Sequence, residues 1–246
     1  MSLLQVQGLT KVYSGLTAVS AVDFSVQRGS ITALIGPNGA GKTTCFNLIA
    51  GATRCTAGRV TFDGQDITGL TPEQACERGI ARTFQIVRPL AGMSVLENVV
   101  VGALLREHSV AAAERQAMAV LERIGLGAKA HASASALALP ERKLLELAKA
   151  LATGPRLLML DEVMAGLRPT EADGIAQVLR DLNADGLTIL LIEHVMRVVM
   201  AVAQTIVVLH HGEKIAEGDP ERIVNDPKVI ECYFGAGVPA TMEPAP

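Results

Sequence analysis

The sequence predicts an α/β fold built on a parallel sheet covered on both faces, and three observations carry that prediction. Runs of strand length that are apolar throughout, within SITALIG, LLMLDE and LTILLIEH, recur along the chain. Strands buried on both faces read this way, whereas half-exposed strands alternate. Amphipathic helical segments such as TEADGIAQVLRDLNADG separate the later runs. The first run ends in a glycine-rich loop followed by TTCFNLIAG, a helix closed by Gly51.

Residues 3–7 and 22–26 alternate as short strands, with Gly15 and Arg28-Gly29 as punctuation. GRVTFDGQDI predicts a hairpin turning at Asp63-Gly64, so a small antiparallel β region is expected near the N-terminus. From about Thr71 to Leu151 the periodicity becomes helical, with Ala-rich pieces at 110–125 and 140–153. QTIVVLHHGEKIAEG closes the series with a second hairpin. The expected division is a core from about 1–85 and 152–236, a helical subdomain inserted at about 86–151, and a tail at 237–246. That tail has too few large apolar side chains to pack and is expected to be disordered.

A chain of 246 residues, 49% of them apolar, can build one compact α/β unit, with a smaller subdomain if needed. The charged share is 19%, the net charge is −3, and Lys and Arg are scattered. Nucleic acid is therefore not an expected partner, because no basic block exists to hold a phosphate backbone. Cys45, Cys55, Cys76 and Cys232 form no CxxC pair and no metal-ligand spacing with His, which fits a reducing cytoplasm. Cys45 reads either as a thiol activated at a helix N-terminus or as a small packing residue. MSLLQVQGLTKVY has no basic region followed by an apolar core and is not read as a signal peptide. No stretch reaches the roughly 18 uninterrupted apolar residues that span a bilayer. Val195 to Leu209 comes nearest and is broken by Arg197 and Gln204. Work at a membrane would need another chain to do the spanning.

Gly36-Pro37-Asn38-Gly39-Ala40-Gly41-Lys42-Thr43 satisfies G-x-x-x-x-G-K-[ST] at every defined position. Its glycines let successive backbone N–H groups converge on phosphates, and the following helix adds its N-terminal partial charge. Lys42 supplies a mobile cation for the β- and γ-phosphates, and the Thr43 hydroxyl can ligate Mg2+. Downstream, a buried strand delivers Asp161-Glu162 at its carboxyl end, where parallel sheets place ligand groups. Asp161 would hold Mg2+ and Glu162 would polarise the attacking water as general base. Two acids after a strand also serve as a helix cap, but an intact phosphate loop favours the catalytic reading.

The chain resembles the ATPase subunits of ABC transporters from about Leu3 to Gly235. That resemblance implies a P-loop NTPase core and carries nucleotide binding over Gly36, Pro37, Asn38, Gly39, Ala40, Gly41, Lys42, Thr43 and Thr44. It matches Tyr13 to the aromatic residue that stacks on adenine and Gln85 to the glutamine that senses Mg2+ and water. It matches His194 to the switch histidine at the γ-phosphate, and Ala165-Gly166-Leu167-Arg168 to the loop crossing to a second nucleotide-binding subunit. GIARTFQIVRPLAGMSVLENVVVGA and LLIEHVM are most similar to the ATPases of branched-chain amino acid importers and their urea and amide relatives. The partners so implied are membrane permease subunits, a second ABC ATPase and a solute-binding protein. The place implied is the cytoplasmic face of the inner membrane. A lipid or lipopolysaccharide exporter is the alternative within transport. A non-transport cassette would usually carry two cassettes, long coiled segments or basic insertions. A GTPase would carry Asn-Lys-x-Asp, which is missing here.

Two places depart from the family pattern. The signature segment, usually L-S-G-G-Q, is Leu137-Ala138-Leu139-Pro140-Glu141, which loses a Ser hydroxyl and a glycine N–H. Pro140 is suited to open a helix, so ERKLLELAKAL can still aim its positive end at phosphate. Glu141 would repel phosphate unless Arg142 or Lys143 turns inward. Arg168 stands where Asp or Asn is usual. A heterodimer whose partner supplies the better signature, and a working dimer with a tolerated variant, both fit these residues.

Overall fold

The computed structural model describes residues 1–83 and 89–234. β1 (Ser2–Tyr13) and β2 (Leu16–Gln27) form a long hairpin, which joins β4 (Ala57–Phe62) and β5 (Gln65–Asp66) in an antiparallel sheet of order β2-β1-β4-β5. Both strands run well beyond the alternating pieces 3–7 and 22–26. The pairing slips register between Val6 and Leu9 and again before Lys11, with Gly8 at φ 56° and Ala21 at φ 46°. Each slip shifts which face a side chain meets, so the alternation stops being legible while the pairing continues.

The second sheet contains β3 (Ile31–Ile35), β6 (Ile80–Arg82), β7 (Leu157–Asp161), β8 (Thr188–Ile192), β9 (Thr205–His210) and β10 (Glu213–Gly218). Its order is β10-β9-β3-β8-β7-β6, parallel throughout except for β10 at one edge. Every residue of β3, β7 and β8 is buried. Leu34, Leu157, Met159, Leu190 and Ile192 share one core with the antiparallel sheet and α1 (Lys42–Ile49). Ala33, Leu158, Leu160, Ile189 and Leu191 share another with α6 (Pro169–Ala184) and α7 (Met196–Val202). Burial on both faces explains the unbroken apolar runs.

The stretch read as helical from Thr71 contains β6, which corrects that reading. α2 (Pro72–Glu77) ends before Gly79 at φ 94°, and Ile80–Arg82 then pair in parallel with Leu157–Met159. Three residues are too few for periodicity to register. Beyond it, α3 (Val95–Ala103), α4 (Val110–Arg123) and α5 (Leu139–Ala152) pack around Val99, Ala117, Leu121 and Ala148. Ser94 and Ser109 cap α3 and α4 by accepting from the N–H groups of Glu97 and Ala112. α5 faces two ways, with Leu145 and Ala148 in this helical cluster and Leu147 and Ala150 against the parallel sheet. α8 (Pro220–Val224) and α9 (Pro227–Phe234) follow β10, where only a hairpin was anticipated. Asp219 accepts from Arg222 N–H with Pro220 beside it, a start signal present in the sequence. Among the described residues no helix is long and apolar enough to cross a membrane.

Candidate functional site

The carboxyl ends of β3, β6, β7 and β8 face one crevice edge, and each delivers a chemically active residue there. The loop after β3 is shaped by Gly36 at φ 146°, Gly39 at φ 81° and Gly41 at φ 100°. It is pinned from outside: Gly212 N–H donates to Ala40 O (3.1 Å), and Gly212 O accepts from Ser20 N–H (2.8 Å). A Cβ on Gly36 would lie 2.1 Å from the Leu209 carbonyl oxygen, and one on Gly41 2.6 Å from that of Ala18. Gly36→Ala is therefore expected to cost about 3 kcal/mol or more, since backbone rather than a flexible side chain must yield. Thermal unfolding should show a fall of roughly 6–12 °C. A variant melting with the parent would show that the loop can relax.

α1 opens at Lys42 with Gly41 as a left-handed N-cap, no side-chain cap and no acid in its first turn. Its amide end is thus left to an anion. Lys42 is buried, and its Nζ donates to Gly36 O (2.7 Å) and Pro37 O (2.9 Å). Burial lowers its pKa, with Glu162 and Asp161 pulling the other way. Cys45, one turn on, is fully buried and its thiol is pushed up to about 12 by that burial. It is a packing residue, and the activated-thiol reading fails because desolvation outweighs the helix end.

Asp161 ends β7 and is buried, with Oδ2 paired to Arg82 Nη2 at 2.8 Å. Arg82 Nη1 also reaches Asn47 Oδ1 on α1 (2.6 Å), and its guanidinium lies 5.6 Å from the Phe46 ring centre. Asp161 N–H donates to Thr83 Oγ1 at 3.3 Å. Arg82 was missed in the sequence, where it reads as one surface cation after a short run. Among the described residues no three His, Cys, Asp or Glu cluster as a metal-only site. The arrangement fits Mg2+, which takes one or two carboxylates and completes its shell with phosphate and water.

Glu162 occupies the left-handed region at φ 51°, a strained conformation for a side-chain-bearing residue. Its Oε1 lies 2.5 Å from His194 Nε2, so the two candidate catalytic residues meet across β7 and β8. Gln85 lies outside the described residues. Tyr13 ends β1, partly exposed, with Lys11 Nζ 4.7 Å from its ring centre.

In the signature-like segment Leu137 is buried, Ala138 is the N-cap of α5, and Leu139 and Pro140 form its first turn. Glu141 is neutralised by Lys129, with its Oε2 accepting from Ala138 N–H at 3.0 Å. Arg142 caps the carbonyls of Leu137 (2.7 Å) and Ser135 (3.0 Å). The partner of Glu141 is therefore Lys129, twelve residues earlier, rather than either of the two cations that follow it. Arg168 N-caps α6 and pairs with Glu171 in the exposed first turn.

Residues 19–165 match the family model described as ABC transporter, and 213–239 match that of the branched-chain amino acid ATP-binding cassette transporter. The High-affinity branched-chain amino acid transport ATP-binding protein BraF of Pseudomonas aeruginosa is 39% identical, across 95% of this chain and 98% of the relative. The LivG protein of the same description from Escherichia coli K12 is 40% identical over the same shares. Among solved structures, the ADP conformation of an ATP-binding cassette of an ABC transporter superposes with a TM-score of 0.88 at 34% identity. That superposition covers 96% of this chain and 99% of the other. With its phosphate loop, carboxylate pair and histidine gathered at one sheet edge, the chain belongs to the ABC transporter family as an ATP-binding cassette.

Proposed function

We propose that this chain is the ATPase subunit of an importer for branched-chain amino acids or related small polar solutes, driving membrane permease subunits from the cytoplasmic face. A solute-binding protein would deliver the solute. The observation that carries the reading is that Lys42, Asp161, Glu162 and His194 stand at or after the carboxyl ends of the neighbouring strands β3, β7 and β8, with Glu162 and His194 in contact, in a chain whose 213–239 segment matches the branched-chain amino acid cassette model. The core at about 1–85 and 152–236 would hold the nucleotide, and the helical segment 86–151 would meet the permease.

In this reading Lys42 and the amides of residues 36–44 bind the phosphates, with Tyr13 against the base. Thr43 and Asp161, with Gln85, would hold Mg2+, which offsets phosphate charge when bound. Glu162 takes a proton from the attacking water, and His194 orients that carboxylate through the 2.5 Å contact. Catalysis then rests on fixed charges placed before the reaction begins.

The active assembly is read as a heterodimer. Ala138 offers no hydroxyl, and Glu141 already takes the Ala138 N–H that would otherwise face a partner's γ-phosphate. A partner cassette would supply a more complete signature to the phosphates held by Lys42. The test is the mass of Glu162→Gln by light scattering, with and without Mg-ATP. A chain that binds ATP and remains monomeric supports the heterodimer. A nucleotide-dependent doubling of mass would show that residues 137–141 serve as a signature and would overturn it.

A further inference from the structure

Glu193 follows β8 and is almost completely buried, yet it carries a carboxylate. Its Oε1 accepts from Met164 N–H at 2.9 Å. Met164 lies two residues after Glu162, so one carboxylate fastens the turn leaving the general base to the turn carrying the histidine. Lys143 approaches the same place from α5. It is also buried and its Nζ donates to the Glu162 backbone carbonyl at 3.3 Å; burial lowers its pKa while the Glu193 charge pulls the other way. Buried Lys and Glu side chains carry a desolvation cost that an apolar pair would not.

The Glu162 backbone is thus held on both sides. Its N–H donates to Ile192 O at 2.9 Å, and its carbonyl accepts from Lys143. A non-glycine residue at φ 51° persists only where its surroundings over-determine it. α5 begins at the signature-like segment and packs on both the helical cluster and the parallel sheet, so its placement is read at Glu162 through one side chain.

We propose that Lys143 and Glu193 are positioning residues that hold Glu162 against His194 and make that geometry depend on where α5 stands. The proposal rests on Glu162 being the general base. A movement of the first turn of α5, where a partner's nucleotide would engage it, would be felt at the base without any contact between the two.

The experiment compares Lys143→Met, Lys143→Arg and Glu193→Gln in the full chain. Amide hydrogen exchange without nucleotide is the first readout. Lys143→Met and Glu193→Gln should speed exchange at Met164 by about tenfold while the central strands β7 and β8 keep their protection. In the ATP-hydrolysing assembly Lys143→Met should lower kcat by roughly 10–100-fold with KM within twofold, the signature of a misplaced catalytic group. Lys143→Arg should restore kcat to within about threefold, because a cation is kept. Glu193→Gln keeps the shape but removes the charge that strengthens the Met164 N–H bond and faces Lys143, so it serves if Lys143→Met does not fold. Unchanged Met164 exchange, a kcat within twofold of the parent, or a loss confined to KM would each overturn the proposal. Glu162→Gln measured alongside separates the two readings. If it turns over like the parent, the base assignment fails; if it is slow while Lys143→Met is fast, only the positioning role fails.

Discussion

Lys42→Met is expected to abolish measurable ATP binding while leaving the fold intact. The ammonium is buried and holds the Gly36 and Pro37 carbonyls, so it is already placed at the mouth of the loop that receives phosphate. Charge-assisted hydrogen bonds contribute about 1.5–3 kcal/mol each. Losing two raises Kd by about two to four orders of magnitude. Folding should not suffer in proportion, because burial works against the charge, as the lowered pKa of Lys42 shows. Replacing it by a methionine of similar length removes that cost together with two hydrogen bonds to loop carbonyls. Titration with a fluorescent ATP analogue, paired with a melting curve, checks both halves. A folded variant that binds ATP within about threefold of the parent would remove Lys42 from the phosphate site, since one charge-assisted bond alone exceeds that difference.

The parts of the molecule that were legible in the sequence are those where one physical demand acts alone. β3, β7 and β8 are buried on both faces and announce themselves as apolar runs. The phosphate loop must be glycine-rich because the Leu209 and Ala18 carbonyls leave no room for a Cβ. Where two demands compete, the pattern blurs. The register slips of β1 and β2 conceal strands of twelve residues each. β6 is too short to show a period, although its pairing with β7 places Arg82 against Asp161.

Side-chain networks were the least legible. Lys143 reads only as a cation that could turn inward beside Glu141, and Glu193 stands in LLIEHVM with no signal of its own. Only the fold shows both buried around Glu162. Lys129 and Glu141 are likewise twelve positions apart on different elements, so their pairing has no signal in local periodicity. The expectation from the sequence is that Arg142 or Lys143 turns inward to offset Glu141. Helix geometry instead sends Arg142 back over the Leu137 and Ser135 carbonyls and Lys143 toward the sheet.

Glu162→Gln should separate binding from turnover. The amide keeps the size and one acceptor of the carboxylate, so the backbone at φ 51°, held by Ile192 O and Lys143 Nζ, has no reason to move. What disappears is the proton acceptor and the charged partner of His194 at 2.5 Å. General-base catalysis contributes about 10²–10⁴ in rate, so kcat in the ATP-hydrolysing assembly should fall by that factor. The Kd for ATP should stay within about threefold or tighten, because one negative charge near the phosphates is gone. Phosphate release followed under single-turnover conditions measures the chemical step without product departure. A variant that retains more than about a tenth of parental turnover would show that water is activated without this carboxylate, since a residual that large lies outside the range for a lost base. The neighbouring Asp161 could not readily take over, because Arg82 already engages its Oδ2 and the carboxylate is buried at the end of β7.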